Sequence, residues 1–115
     1  MKFIPYGRQD ISHEDIQAVV DVLQSDFLTQ GPCVPQFEQA IANYVGVKHA
    51  LAVNSATSAL HIACMALGVK EGDWLWTTPN TFVASANCAR YCNATVCFVA
   101  IDPATYNMIV SPPAT

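Results

Sequence analysis

At 115 residues the chain suffices for one compact domain and little more. Hydrophobic residues make up 52 % and charged residues only 12 %, against about 25 % charged in an ordinary globular chain, so much of the surface is expected to be covered by further polypeptide, a second subunit, or both. The net charge of -4, with Lys2, Arg8, Lys48, Lys70 and Arg90 scattered, excludes the basic stripe of a nucleic-acid binder; no apolar run nears the ~20 residues of a membrane span, and no signal-peptide core opens the chain, so a cytoplasmic location is expected by default.

Ser12-His13-Glu14-Asp15 opens the first helix. Ser12 can cap it, and Asp15 three residues on makes a variant capping box. Ile16, Val19, Val20 and Leu23 continue a helical apolar stripe to about Gln24. Asp26 to Pro35 holds Gly31-Pro32 and Pro35 and reads as a loop. Phe37, Ile41, Tyr44 and Val45 mark a second helix, closed by Gly46.

Ala50-Leu51-Ala52-Val53 reads as a strand that ends abruptly in small polar residues. Asn54-Ser55-Ala56-Thr57-Ser58 leads at once into a helix from about Thr57 to Leu67, stopped by Gly68. Such a turn builds an anion seat, because first-turn N–H groups and the positive end of the helix dipole point at one spot. The hydroxyls of Ser55, Thr57 and Ser58 add donors. The plain alternative is an ordinary N-cap with no ligand. Glu71-Gly72-Asp73 turns the chain into a strand, Trp74 to Thr78. Pro79-Asn80-Thr81 leads into a helix of about Phe82 to Tyr91, and Thr95 to Ile101 is a further strand. Asp102-Pro103 starts a loop that runs to the end.

Alternating strands and helices predict a parallel α/β architecture. Ligands in such sheets sit beyond the carboxyl ends of the strands, where the Asn54–Ser58 turn, the Pro79–Thr81 turn and the loop after Ile101 all fall. Cys33, Cys64, Cys88, Cys92 and Cys97 form no CxxC pair. They are read as reduced packing residues, and no metal site is expected. His49 and His61 are read as structural, and Trp74 and Trp76 as packing.

Several segments occur in a telling order: Leu28-Thr29-Gln30-Gly31-Pro32, Phe37-Glu38, Val47-Lys48-His49-Ala50, Asn54 to Leu60, Pro79 to Asn87, and Phe98 to Pro103. Together they resemble the start of the DegT/DnrJ/EryC1/StrS sugar aminotransferases, which use pyridoxal 5'-phosphate (PLP). Tyr6 and Ser25 to Gly31 resemble most the pseudaminic-acid branch, which aminates C4 of a UDP-linked 4-keto-6-deoxy sugar with glutamate as donor. The resemblance implies the N-terminal portion of the large domain of a fold type I PLP-dependent transferase, aspartate aminotransferase-like. This is a truncated parallel-type sheet flanked by helices, over residues 1–107, with an irregular tail at 108–115. It further implies a homodimer. Asn93 stands where the family usually has glycine.

Carried over by position, Ala56, Thr57 and Ser58 would hold the PLP phosphate and Phe82 would lie against the pyridine ring. Tyr6, Asp26, Phe27, Leu28 and Thr29 would line the sugar-nucleotide site. The family's lysine and its acidic partner for the ring nitrogen come downstream of Thr115. Lys2, Lys48 and Lys70 do not replace that lysine, so no catalytic residue is expected here and the chain alone should be inactive. Two alternatives stay open: a sugar dehydratase relative with histidine in place of the lysine, and a non-catalytic module that binds a phosphate ligand or dimerises.

Overall fold

Ser12 begins the first helix in the computed structural model, which describes residues 4–110. Helix α1 is His13–Leu23. The Ser12 hydroxyl accepts the Asp15 N–H at 3.2 Å, and the Asp15 carboxylate accepts the Ser12 N–H at 2.8 Å. The reciprocal box satisfies two donors that a helix start otherwise leaves unpaired. The apolar stripe forms as expected, yet Ile16, Val19 and Leu23 stay exposed, and no residue of α1 is buried.

Helix α2 is Cys33–Val45. It starts inside the stretch expected to be loop, because both prolines are tolerated there. Pro32 sits at the N-cap and Pro35 in the first turn, where the missing N–H would have had no helical partner. Gly46 ends the helix in the left-handed region at φ 72°, with its N–H on the Ala42 carbonyl. Ala42 is the buried residue of α2.

The expected strand Ala50–Val53 does not form. No neighbouring strand offers it a ladder among the described residues. The Ala52 N–H donates instead to the Glu38 carboxylate at 2.8 Å. The chain divides into two units, Met1–Ala52 and Val53–Thr115.

In the second unit, α3 is Ala56–Ala66, α4 is Ala84–Tyr91, and strands β1, Trp74–Thr77, and β2, Thr95–Phe98, pair in parallel. The register runs Trp74↔Thr95 to Thr77↔Phe98, so α4 is the crossover of one βαβ unit. α3 and α4 both begin and end within two residues of the spans the periodicity gives. β2 is shorter than expected: it stops at Phe98, and Ile101 forms an isolated antiparallel bridge with Met108. Asn93 adopts φ 58° just after α4, in the left-handed region that glycine and asparagine enter most readily.

The buried residues of this unit are Cys64, Ala84, Ala86, Cys88, Ala89 and Ala94. All are small, and they lie where α4 meets α3 and the sheet. Trp74, at the start of β1, is 67 % exposed, so the expected packing role fails for it; Trp76, on the same face of the strand, is half-buried. Cys33 is exposed, which corrects its reading as a packing residue. Lys2 and the stretch 111–115 lie outside the described residues.

Ala89 is 0 % exposed. Added methylenes there have no room, so Ala89→Leu should lower the unfolding free energy by about 1–3 kcal/mol. The urea midpoint followed by circular dichroism measures this, and an unmoved midpoint would contradict the packing of α4.

Candidate functional site

The turn before α3 is ordered by its own side chains. Ser55 is the N-cap in extended geometry, and its hydroxyl accepts the Ser58 N–H at 3.2 Å. The Ser58 hydroxyl donates to the Asn54 side-chain oxygen at 2.7 Å. The Ser55 hydroxyl lies 3.0 Å from that of Ser58 and 3.4 Å from the Asn54 oxygen. Each hydroxyl carries one proton. The Ser58 proton and the Ser58 N–H are therefore engaged inside the turn.

What remains open is the start of the helix itself. The N–H groups of Ala56 and Thr57 and the Thr57 hydroxyl have no hydrogen-bond partner among the described residues. The first N–H groups of a helix have no partner within it. Thr57 and Ser58 are half-buried and Ala56 is exposed. Those donors, at the positive end of an 11-residue helix, suit a phosphate ester in number and character. No Lys or Arg lies between residues 49 and 69, so this segment itself contributes dipoles and no formal positive charge to the seat. Asn54 organises it, a role the sequence reading missed. The available signal was its spacing of four residues from Ser58.

Phe82 lies in the turn between β1 and α4, at the carboxyl end of β1. Its carbonyl accepts the Ser85 N–H at 3.0 Å, and the residue is 74 % exposed. Thr81 and Ser85 bring their hydroxyls to 3.1 Å beside it. No hydrogen bond joins Phe82 to the Asn54–Ser58 turn among the described residues. α3 and α4 meet instead around His61 and Tyr91, whose rings stand 5.1 Å apart, and around Cys64 and Cys88.

In the first unit, Tyr6 is fully exposed ahead of α1. Asp26, Phe27, Leu28 and Thr29 form one exposed loop between α1 and α2. Lys48 is exposed before Ala50, and Lys70 is exposed between α3 and β1, at the amino end of the strand. Asp102, in the loop after Ile101, accepts the N–H groups of Ala104 and Thr105 at 2.7 and 3.0 Å. The backbone donors hold its carboxyl below the ordinary value, Thr105 first. That makes it a turn anchor.

The Cys64 thiol, between α3 and α4, is held protonated. Burial first, and the Cys88 thiol next, push Cys64 up to about 11, from an ordinary value near ~8.5. A raised folded value means the folded chain holds this proton more tightly. The resulting stability is complete below about pH 8.5 and fades as pH climbs towards the folded value. Among the described residues, no group of three or more His, Cys, Asp or Glu is placed to hold a metal ion. At pH 8, an aromatic disulfide reagent should therefore label exposed Cys33 promptly and Cys64 only on unfolding. Cys33→Ser should remove the fast phase. Fast labelling that survives this change and maps to Cys64 would contradict the burial.

Comparison with known proteins gives a consistent picture. A family profile described as the DegT/DnrJ/EryC1/StrS aminotransferase family matches residues 9–112. The UDP-4-amino-4,6-dideoxy-N-acetyl-beta-L-altrosamine transaminase of Campylobacter jejuni serotype O:23/36 is 50 % identical over 98 residues, covering 85 % of this chain and 26 % of that protein. Helicobacter pylori PseC, an aminotransferase involved in the biosynthesis of pseudoaminic acid, superposes with a TM-score of 0.82 at 40 % identity, covering 88 % of this chain and 28 % of that one. Spr1654 of Streptococcus pneumoniae in its PLP form superposes with a TM-score of 0.85 at 32 % identity, covering 91 % of this chain and 27 % of that one. The fold is thus that of the matching α/β part of these aminotransferases. This chain spans little more than a quarter of the length of the relatives it matches.

Proposed function

The chain belongs to the DegT/DnrJ/EryC1/StrS aminotransferase family, and from that membership we propose that it is the phosphate-seating part of a PLP-dependent sugar-nucleotide aminotransferase. The reaction proposed for the whole enzyme is amination at C4 of a UDP-linked 4-keto-6-deoxy sugar, with glutamate as the amino donor. The proposed site is cytoplasmic, in a homodimer; among the described residues, no helix is long and apolar enough to cross a membrane.

One observation carries the reading: the open N–H groups of Ala56 and Thr57 at the start of α3, with the Ser58 hydroxyl held beside them by Asn54. These residues would hold the cofactor's phosphate. PLP supplies the electron-accepting ring for transamination when bound. Phe82 would restrain that ring by offering an exposed aromatic face at a strand's carboxyl end. Tyr6 and Asp26 to Thr29 would contact the sugar nucleotide. Lys70 stands at the amino end of β1, away from its carboxyl tip, so the chain by itself is proposed to bind PLP without transaminating. The Campylobacter and Helicobacter relatives support the choice of substrate class.

The test is a calorimetric titration of the chain with PLP and with pyridoxal, which lacks the phosphate. Thr57→Ala with Ser58→Ala should weaken PLP by roughly tenfold or more: the first removes an open hydroxyl donor, worth about 1.5–3 kcal/mol to a charged group, and the second removes the hydroxyl that orders the turn through Asn54. Pyridoxal should bind both proteins equally and weakly. An unchanged PLP affinity in the double variant would remove the seat.

A further inference from the structure

We infer that Ser25 and Gly31 are positioning residues that preset the Asp26–Thr29 segment for its sugar-nucleotide ligand by locking the backbone of Phe27. The inference rests on the proposed contact between that segment and the UDP-linked substrate, and it adds two residues that touch no ligand.

The lock has two sides. The Ser25 hydroxyl accepts the Phe27 N–H at 3.3 Å. It lies 2.8 Å from the Val22 carbonyl in the last turn of α1 and 3.2 Å from the Phe27 carbonyl. With one proton to give, it donates to one carbonyl at a time and accepts from Phe27 throughout. The hydroxyl therefore ties the loop to the end of α1. On the other side stands Gly31. A Cβ there would come within 2.9 Å of the Phe27 Cβ and 3.0 Å of the Phe27 carbonyl oxygen. Neither atom is the loose end of a side chain, so any substituent at 31 must push the Phe27 backbone. Gly31 itself does not need a positive φ; it is small because Phe27 passes over it. Gln30 beside it takes φ 54°, which costs energy for a residue other than glycine.

The arrangement leaves Phe27 and Leu28 more than half exposed while their backbone is held. Exposed side chains on a fixed backbone lose less freedom when a ligand arrives, so affinity gains from the lock without a direct contact.

Titration of the chain with UDP-N-acetylglucosamine as probe, beside PLP, tests this. Gly31→Ala should weaken the UDP-sugar by about tenfold and Ser25→Ala by about threefold. Ser25→Thr, which keeps the hydroxyl, should restore binding. PLP affinity and the helical circular dichroism signal should stay unchanged in all three, which separates positioning from general loss of structure. Equal UDP-sugar affinity in Gly31→Ala and the unsubstituted chain would overturn the positioning role and leave the substrate reading standing. No binding of the probe by the unsubstituted chain would overturn the substrate reading, and this inference with it.

Discussion

Close approach through small side chains is the constraint on which the second half of the chain depends. α4 presents Ala84, Cys88 and Ala89 to its neighbours, and nothing larger is buried there. Because these side chains are short, one helix can touch β1, β2 and α3 together. That contact fixes the β1–α4–β2 crossover and with it the turn that carries Phe82. It also fixes α3 through its Cys64 and His61 side. The first N–H groups of α3 stay open because a helix start offers them no partner within the helix.

Large residues face outward in each of the two units. Phe37, Tyr44, Trp74, Phe82 and Phe98 are all more than half exposed. A chain with 12 % charged residues cannot cover such groups with polar surface. Apolar area of this extent on a folded surface marks a contact region. It agrees with the proposal of a homodimer.

Local signals were legible in the sequence where a few neighbouring residues decide the outcome. The Ser12–Asp15 box, the Ser55 cap, the stop at Gly46 and the β1–α4–β2 order all follow from short-range chemistry. The start of α2 was not legible, because Gly31-Pro32 and Pro35 look like breakers until Pro35 is seen to fall in a first turn, where it breaks nothing. The Ala50–Val53 strand failed for a long-range reason: an apolar run becomes a strand only beside a partner, and its Ala52 N–H went to Glu38. The Asn93 departure from the family's glycine was benign, since asparagine tolerates the same left-handed backbone. In the site, the positions of Ala56, Thr57 and Ser58 at a helix start were legible. The engagement of the Ser58 hydroxyl by Asn54 was not, because donor counting needs coordinates.

That engagement changes what the seat can be. If every hydroxyl were free, the turn would be a loose cluster of rotors, and a phosphate would have to order them on arrival. Instead Asn54 holds Ser58, Ser58 meets Ser55, and Ser55 caps the helix. The side chains hold the turn while the backbone N–H groups of Ala56 and Thr57 remain for the ligand. The segment itself brings no formal positive charge, so its own part in recognition lies in the direction of fixed dipoles at short range. A seat of this kind favours an anion small enough to meet adjacent N–H groups at the end of one helix. A phosphate monoester has that size and oxygen spacing, and a planar carboxylate, with one oxygen fewer, engages fewer of the donors.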